Sequence, residues 1–134
     1  MNYDWNFQRL APYREAFFNG TITTIQLFAI VVVAGTAVGL VLGFVLRSRF
    51  WAVILYPFVD CIRALPPLVL ILFAYYLFTR QVIGTTFEAF TVCVVAMSVN
   101  LAAFTSDIVR SAVLSVPVEN IDAARALGMS SRQI

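Results

Sequence analysis

Asp60 with Arg63, Asp107 with Arg110, and the amide of Asn100 are the groups of this chain best suited to chemistry inside an apolar setting. Each acid precedes its arginine by three residues, so on a helix the two side chains share a face and can pair. Ionisable groups at membrane depth either pair inside a helix bundle or line a polar path. Both roles are open for these four residues and for Asn100, whose amide needs a partner helix, water or a passing solute. Bond-making chemistry is poorly served. All nine cationic residues are arginine, with no lysine and no histidine. The usual proton-transfer and Schiff-base groups are therefore missing. No P-loop, HExxH, GxSxG or Gly-rich dinucleotide fingerprint occurs. Cys61 and Cys93 lack metal-ligand spacing and read as small buried hydrophobes, so no metal site is expected. Recognition of charge, driven by an energy source on another polypeptide, is the chemistry that remains.

The elements that must hold these groups are membrane helices. The 134 residues are 61% hydrophobic and 12% charged, with a mean hydropathy of +0.89. Soluble domains carry roughly 45–50% apolar and about 25% charged residues. A net charge of +2 without a basic cluster gives no reason to expect nucleic acid. Residues 1–19 mix aromatics with charges and suit a headgroup-level interfacial tail, broken by Pro12. Residues 22–46 hold no charge and form the first expected crossing. Gly35, Gly39 and Gly43 recur every four residues within it, a face on which another helix can pack closely. Residues 53–78 are expected to make a second crossing kinked at Pro66 and Pro67, because the apolar run after the prolines is too short alone. A turn with Gly84 follows, and residues 87–109 make the third crossing.

Residues 115–134 are a polar stretch with helix punctuation. Pro117 suits a first helical turn, Asp122–Leu127 are acceptable to strong helix formers, and Gly128 sits where a left-handed residue ends a helix. Ser130 and Gln133 have the spacing of a capping box that opens a second helix. Ala123 and Ala124 make one side slim enough for a partner surface. The string Asp-Ala-Ala-Arg-Ala-Leu-Gly-Met-Ser, Asp122 to Ser130, resembles the EAA coupling loop of bacterial ABC-importer permeases, with Asp122 in place of the usual Glu. Two further strings resemble the polar amino-acid (histidine, glutamine, glutamate) branch. Arg63-Ala64-Leu65-Pro66-Pro67-Leu68 is similar to Arg-Gly-Thr-Pro-Leu-Leu. Asn100 to Arg110 is similar to Asn-x-x-Ala-Tyr-x-x-Glu-x-x-Arg, with Phe104 for Tyr and Asp107 for Glu.

That resemblance implies an all-α integral membrane protein, the N-terminal part of a type I importer permease, with three crossings, N-terminus outside and C-terminus inside. It implies a coupling loop of Asp122, Ala123, Ala124, Leu127 and Gly128 that docks on an ABC ATP-binding subunit. ATP and Mg would sit on that subunit, and none on this chain. It also implies a periplasmic or extracellular solute-binding protein, a second permease subunit and a bacterial plasma (inner) membrane location. The sequence stops short of the Phe-x-x-Ile-x-Leu-Pro ending of the motif, which reads as a partial frame. Asp107 and Arg110 would hold the third helix in register with the loop that follows. Five arginines on the expected inner side (Arg47, Arg49, Arg110, Arg125, Arg132) against three outside (Arg9, Arg14, Arg80) agree with the N-out orientation. Two rival readings are a membrane scaffold that self-associates through the glycine face, and an ion-driven transporter using Asp60, Asp107 and Asn100 as ion sites.

Overall fold

The computed structural model describes residues 12–77, 87–131 and 133. Within them the chain is helical: α1 Arg14–Val45, α2 Arg49–Ala64, α3 Pro67–Leu77, α4 Ala89–Leu114 and α5 Val118–Ala126. Helices α1 and α4 are long and apolar enough to cross a membrane; α2 and α3 together make a bent pair that could be a third. The turn expected around Gly84 lies outside the described residues.

α1 begins at Arg14, well before the uncharged run, so residues 14–19 are helical. Pro12 and Tyr13 form the turn that opens it, and Tyr13 is the cap residue. The hydroxyls of Thr21, Thr23 and Thr24 each donate to the carbonyl four residues back, at 2.8–2.9 Å. The three hydroxyls are thereby paired with backbone where the surrounding solvent is apolar. Ile25, Val33, Val41 and Phe44 stay exposed around the helix, as lipid-facing residues do.

The break expected at Pro66 and Pro67 is sharper than a kink: α2 and α3 meet at 107°. Leu65 and Pro66 both precede a proline, whose ring disfavours the helical conformation of the residue before it. Leu65 is extended, with φ −82° and ψ 131°. Two successive non-helical residues make a corner where a single proline would make a kink. Pro67 then occupies the first helical position, where no N–H is needed, and Leu70 N donates to the Pro66 carbonyl at 3.1 Å. α4 runs five residues past the expected end at 109, to Leu114.

Helices α1 and α4 pack in parallel. Gly35 lies against Leu101, Gly39 against Thr105 and Gly43 against Val109, so both chains advance in the same direction. The α2–α3 pair must then carry the chain back along α4. Leu46 and Val59 cluster with Ala103, while Ala74 clusters with Val92 and Ala96. From Ala103 to Val92 is roughly 16 Å of α4 at about 1.5 Å per residue.

Candidate functional site

The glycine face has no spare room. A Cβ on Gly35 would come within 2.9 Å of the Leu101 Cβ. On Gly39 it would meet the Thr105 Cβ at 2.5 Å and the Ala102 carbonyl oxygen at 2.9 Å. On Gly43 it would meet the Val109 Cβ at 2.6 Å. All three glycines are buried. Ser106, fully buried behind this contact, returns its hydroxyl to the Ala103 carbonyl at 2.8 Å. Close approach of two backbones supplies dispersion contact, which replaces the hydrophobic effect as the force between helices in lipid.

A polar knot ties the α1 end, α2 and α4 together. Arg63 pairs with Asp60 at 3.2 Å on its own helix and with Asp107 of α4 at 3.0 Å. The Tyr56 hydroxyl donates to the other Asp107 oxygen at 2.6 Å. The Arg110 Nε donates to the carbonyl of buried Leu46 at 3.2 Å, and its guanidinium lies 4.7 Å from the Tyr56 ring centre. Arg63 also sits over the Phe104 ring at 5.4 Å. Asp107 and Arg110 therefore fasten α4 to α2 and to the end of α1, where the sequence suggested the following loop. Asn100 is buried, but its amide nitrogen meets no acceptor among the described residues. That nitrogen therefore makes no interhelical hydrogen bond there. By helical register Asn100 lies between Ala96, which packs with α3, and Ala103, which packs with α2. It thus faces the α2–α3 corner. Cys61 lies on an exposed face of α2 and Cys93 is half-buried; neither is a core residue.

Past α4 the chain turns at Ser115 and caps α5 with extended Pro117, one position before the helix. Asp122 pairs with Arg125 of the same helix at 3.2 Å, both well exposed. Met129 N reaches the Ala124 carbonyl at 3.1 Å and Gly128 N the Arg125 carbonyl at 2.9 Å. Those two bonds form a Schellman ending, and Gly128 supplies its left-handed residue with φ 79°. Gln133 reaches back to Ser130 N at 2.9 Å, half of the capping box. The Ser130 hydroxyl bonds the Gln133 side chain, not a backbone N–H, and one turn is formed there. Leu127 is 82% exposed, and Asp122, Ala123 and Gly128 are exposed with it. α5 is a stiff, uncovered projection beyond the bundle.

The sequence signature of the "binding-protein-dependent transport system inner membrane component" family matches residues 35–134. The chain belongs to that family. Every candidate residue discussed above, from Gly35 to Gly128, falls within the matched span. Among the chain's relatives is the glutamine transport system permease protein GlnP of Escherichia coli. It is 27% identical over 132 residues, covering 97% of this chain and 59% of the relative. The glutamate transport system permease protein GluD of Corynebacterium glutamicum is 36% identical over 104 residues, 75% of this chain and 37% of the relative. A crystal structure of an amino acid ABC transporter with histidines superposes with a TM-score of 0.81 at 27% identity, over 97% of this chain and 61% of that one. The chain spans about 59% of the length of GlnP. Sequence reasoning missed Tyr56 and the Leu46 carbonyl as members of the polar knot. Tyr56 had a usable signal: it lies four residues before Asp60, on the same α2 face.

Proposed function

We propose that this chain is the transmembrane permease subunit of a binding-protein-dependent ABC importer for polar amino acids or similar small polar solutes. The observation that carries the reading is α5, an exposed helix closed by a Schellman turn at Gly128 and placed directly after a membrane-length helix. The relatives' transport of glutamine and glutamate supports the solute class. On this reading the protein is a multi-pass protein of the bacterial plasma (inner) membrane. Parallel α1 and α4 support three crossings, since α2–α3 must return the chain between them, and the arginine bias supports an N-out orientation. α5 then lies in the cytoplasm and docks on the ABC ATP-binding subunit, which binds ATP and Mg and does the hydrolysis; this chain is not itself an enzyme. A periplasmic or extracellular solute-binding protein and a second permease subunit complete the assembly. Asn100, with its free amide donor facing the α2–α3 corner, is the group best placed on a solute path. Both rivals fare worse. The scaffold reading needs a free glycine face, which α4 of the same chain covers. The ion-driven reading needs free carboxylates, and Asp60 and Asp107 are both paired with Arg63.

Gly128→Leu tests the lever. No atom crowds Gly128, so the penalty is backbone conformation alone, roughly 1–2 kcal/mol for a left-handed non-glycine residue. In the complete transporter, this variant should assemble normally yet lose uptake by at least about ten-fold while ATP hydrolysis continues. Normal uptake with normal assembly would contradict the lever reading.

A further inference from the structure

Where α1 ends and α2 begins, three arginines converge on a cleft of about 380 Å³. Arg47 comes from the connection between the helices, Arg49 is the first residue of α2, and Arg110 comes from the last turns of α4. None of the three pairs with a carboxylate among the described residues, in contrast to Arg63 and Arg125. Arg110 uses its Nε on the Leu46 carbonyl and its flat face on Tyr56, so its two terminal nitrogens remain for a ligand. Val53 and Leu114, both exposed, add apolar surface to the lining. Phe50 and Trp51 stand beside it in edge-to-face contact, the aromatic type found at headgroup level. The cleft lies at the ends of both membrane-length helices, where acyl chains give way to headgroups.

We propose that this cleft binds the phosphate of an anionic phospholipid, with the arginines on the headgroup and Val53 and Leu114 against the upper acyl chain. Positive charge without acidic partners fits a phosphate, and the exposed apolar Val53 and Leu114 in the same lining favour a lipid over a soluble phosphate. Bound there, one lipid bridges the α1–α2 connection to the end of α4, directly above the segment that leads into α5. The inference rests on the membrane reading but not on transport, and its test reads lipid retention, not uptake.

The test is native mass spectrometry of the full chain in neutral detergent, titrated with phosphatidylglycerol or phosphatidylcholine. Phosphatidylglycerol should be retained at least about ten-fold more strongly. Arg47→Gln with Arg49→Gln should weaken its retention roughly 25-fold, at about five-fold per arginine, with phosphatidylcholine unchanged. Arg47→Lys with Arg49→Lys should keep the preference, and so should Arg125→Gln on distant α5. Equal retention of the two lipids, or a glutamine pair that binds phosphatidylglycerol like the parent, would overturn the proposal. Competition by glycerol phosphate at the same concentration as the lipid would reassign the cleft to a soluble phosphate. Loss of the preference when the ATP-binding subunit is added would assign the arginines to a protein contact instead.

Discussion

Gly39→Leu should separate α1 from α4 and leave a protein that inserts but does not hold its tertiary structure. A single methyl at Gly39 already comes to 2.5 Å from the Thr105 Cβ and 2.9 Å from the Ala102 carbonyl oxygen. The second of these is backbone, which cannot rotate away. Overpacking at a well-filled contact costs roughly 1–3 kcal/mol, and leucine adds three further carbons, so a loss of about 3 kcal/mol or more is expected. Gly20 is the control. It lies on the same helix with nothing within 4 Å of its would-be Cβ. Gly20→Ala should be neutral or gain up to about 1 kcal/mol of helix propensity. Thermal unfolding in detergent, followed by circular dichroism and gel filtration, reads both variants. A Gly39→Leu protein as stable as the parent would remove the glycine seam from this description.

The second large effect is expected at Asp107. Its two oxygens take the Arg63 guanidinium at 3.0 Å and the Tyr56 hydroxyl at 2.6 Å, with about a fifth of the side chain exposed. Asp107→Asn removes the charge that holds Arg63 to α4 and leaves that guanidinium paired only with the more exposed Asp60. Breaking one partner of a largely buried pair costs roughly 3 kcal/mol. Tyr56→Phe should cost about half of that, as a hydrogen bond to a charged group. The double variant should be less destabilised than the sum, because both changes remove the same contact. Additive losses in denaturant titration would show that Tyr56 and Asp107 are not coupled.

Much of this architecture is legible in the sequence. The four-residue glycine spacing announces a close helix contact, and Gly128 announces a left-handed helix end; both are local patterns, set by residues near in sequence. The partner of the glycine face is another matter. That α4 covers it, and in parallel, depends on the α2–α3 corner returning the chain. The corner itself was half legible. Pro66 and Pro67 mark a break, but two consecutive residues driven out of the helix turn a kink into a bend of 107°. The Arg63–Asp107 pair joins residues far apart in the chain and exists only because of that corner. At three-residue spacing, Asp107 and Arg110 seemed natural partners; in the fold Asp107 pairs with Arg63 of α2 and Arg110 with the carbonyl that caps α1. Arg110 chose a carbonyl, which no residue-type pattern can flag.

Docking of α5 on an ATP-binding subunit is the central claim, and a photo-activatable cross-linker at exposed Ala123 tests it most directly. Illumination of membranes containing the complete transporter should join this chain to the ATP-binding subunit, with a yield that changes when ATP is added. A linker at exposed Ile25, on the lipid-facing side of α1, should give no such adduct. Adducts from Ala123 only to lipid or to another copy of this chain would contradict the importer account.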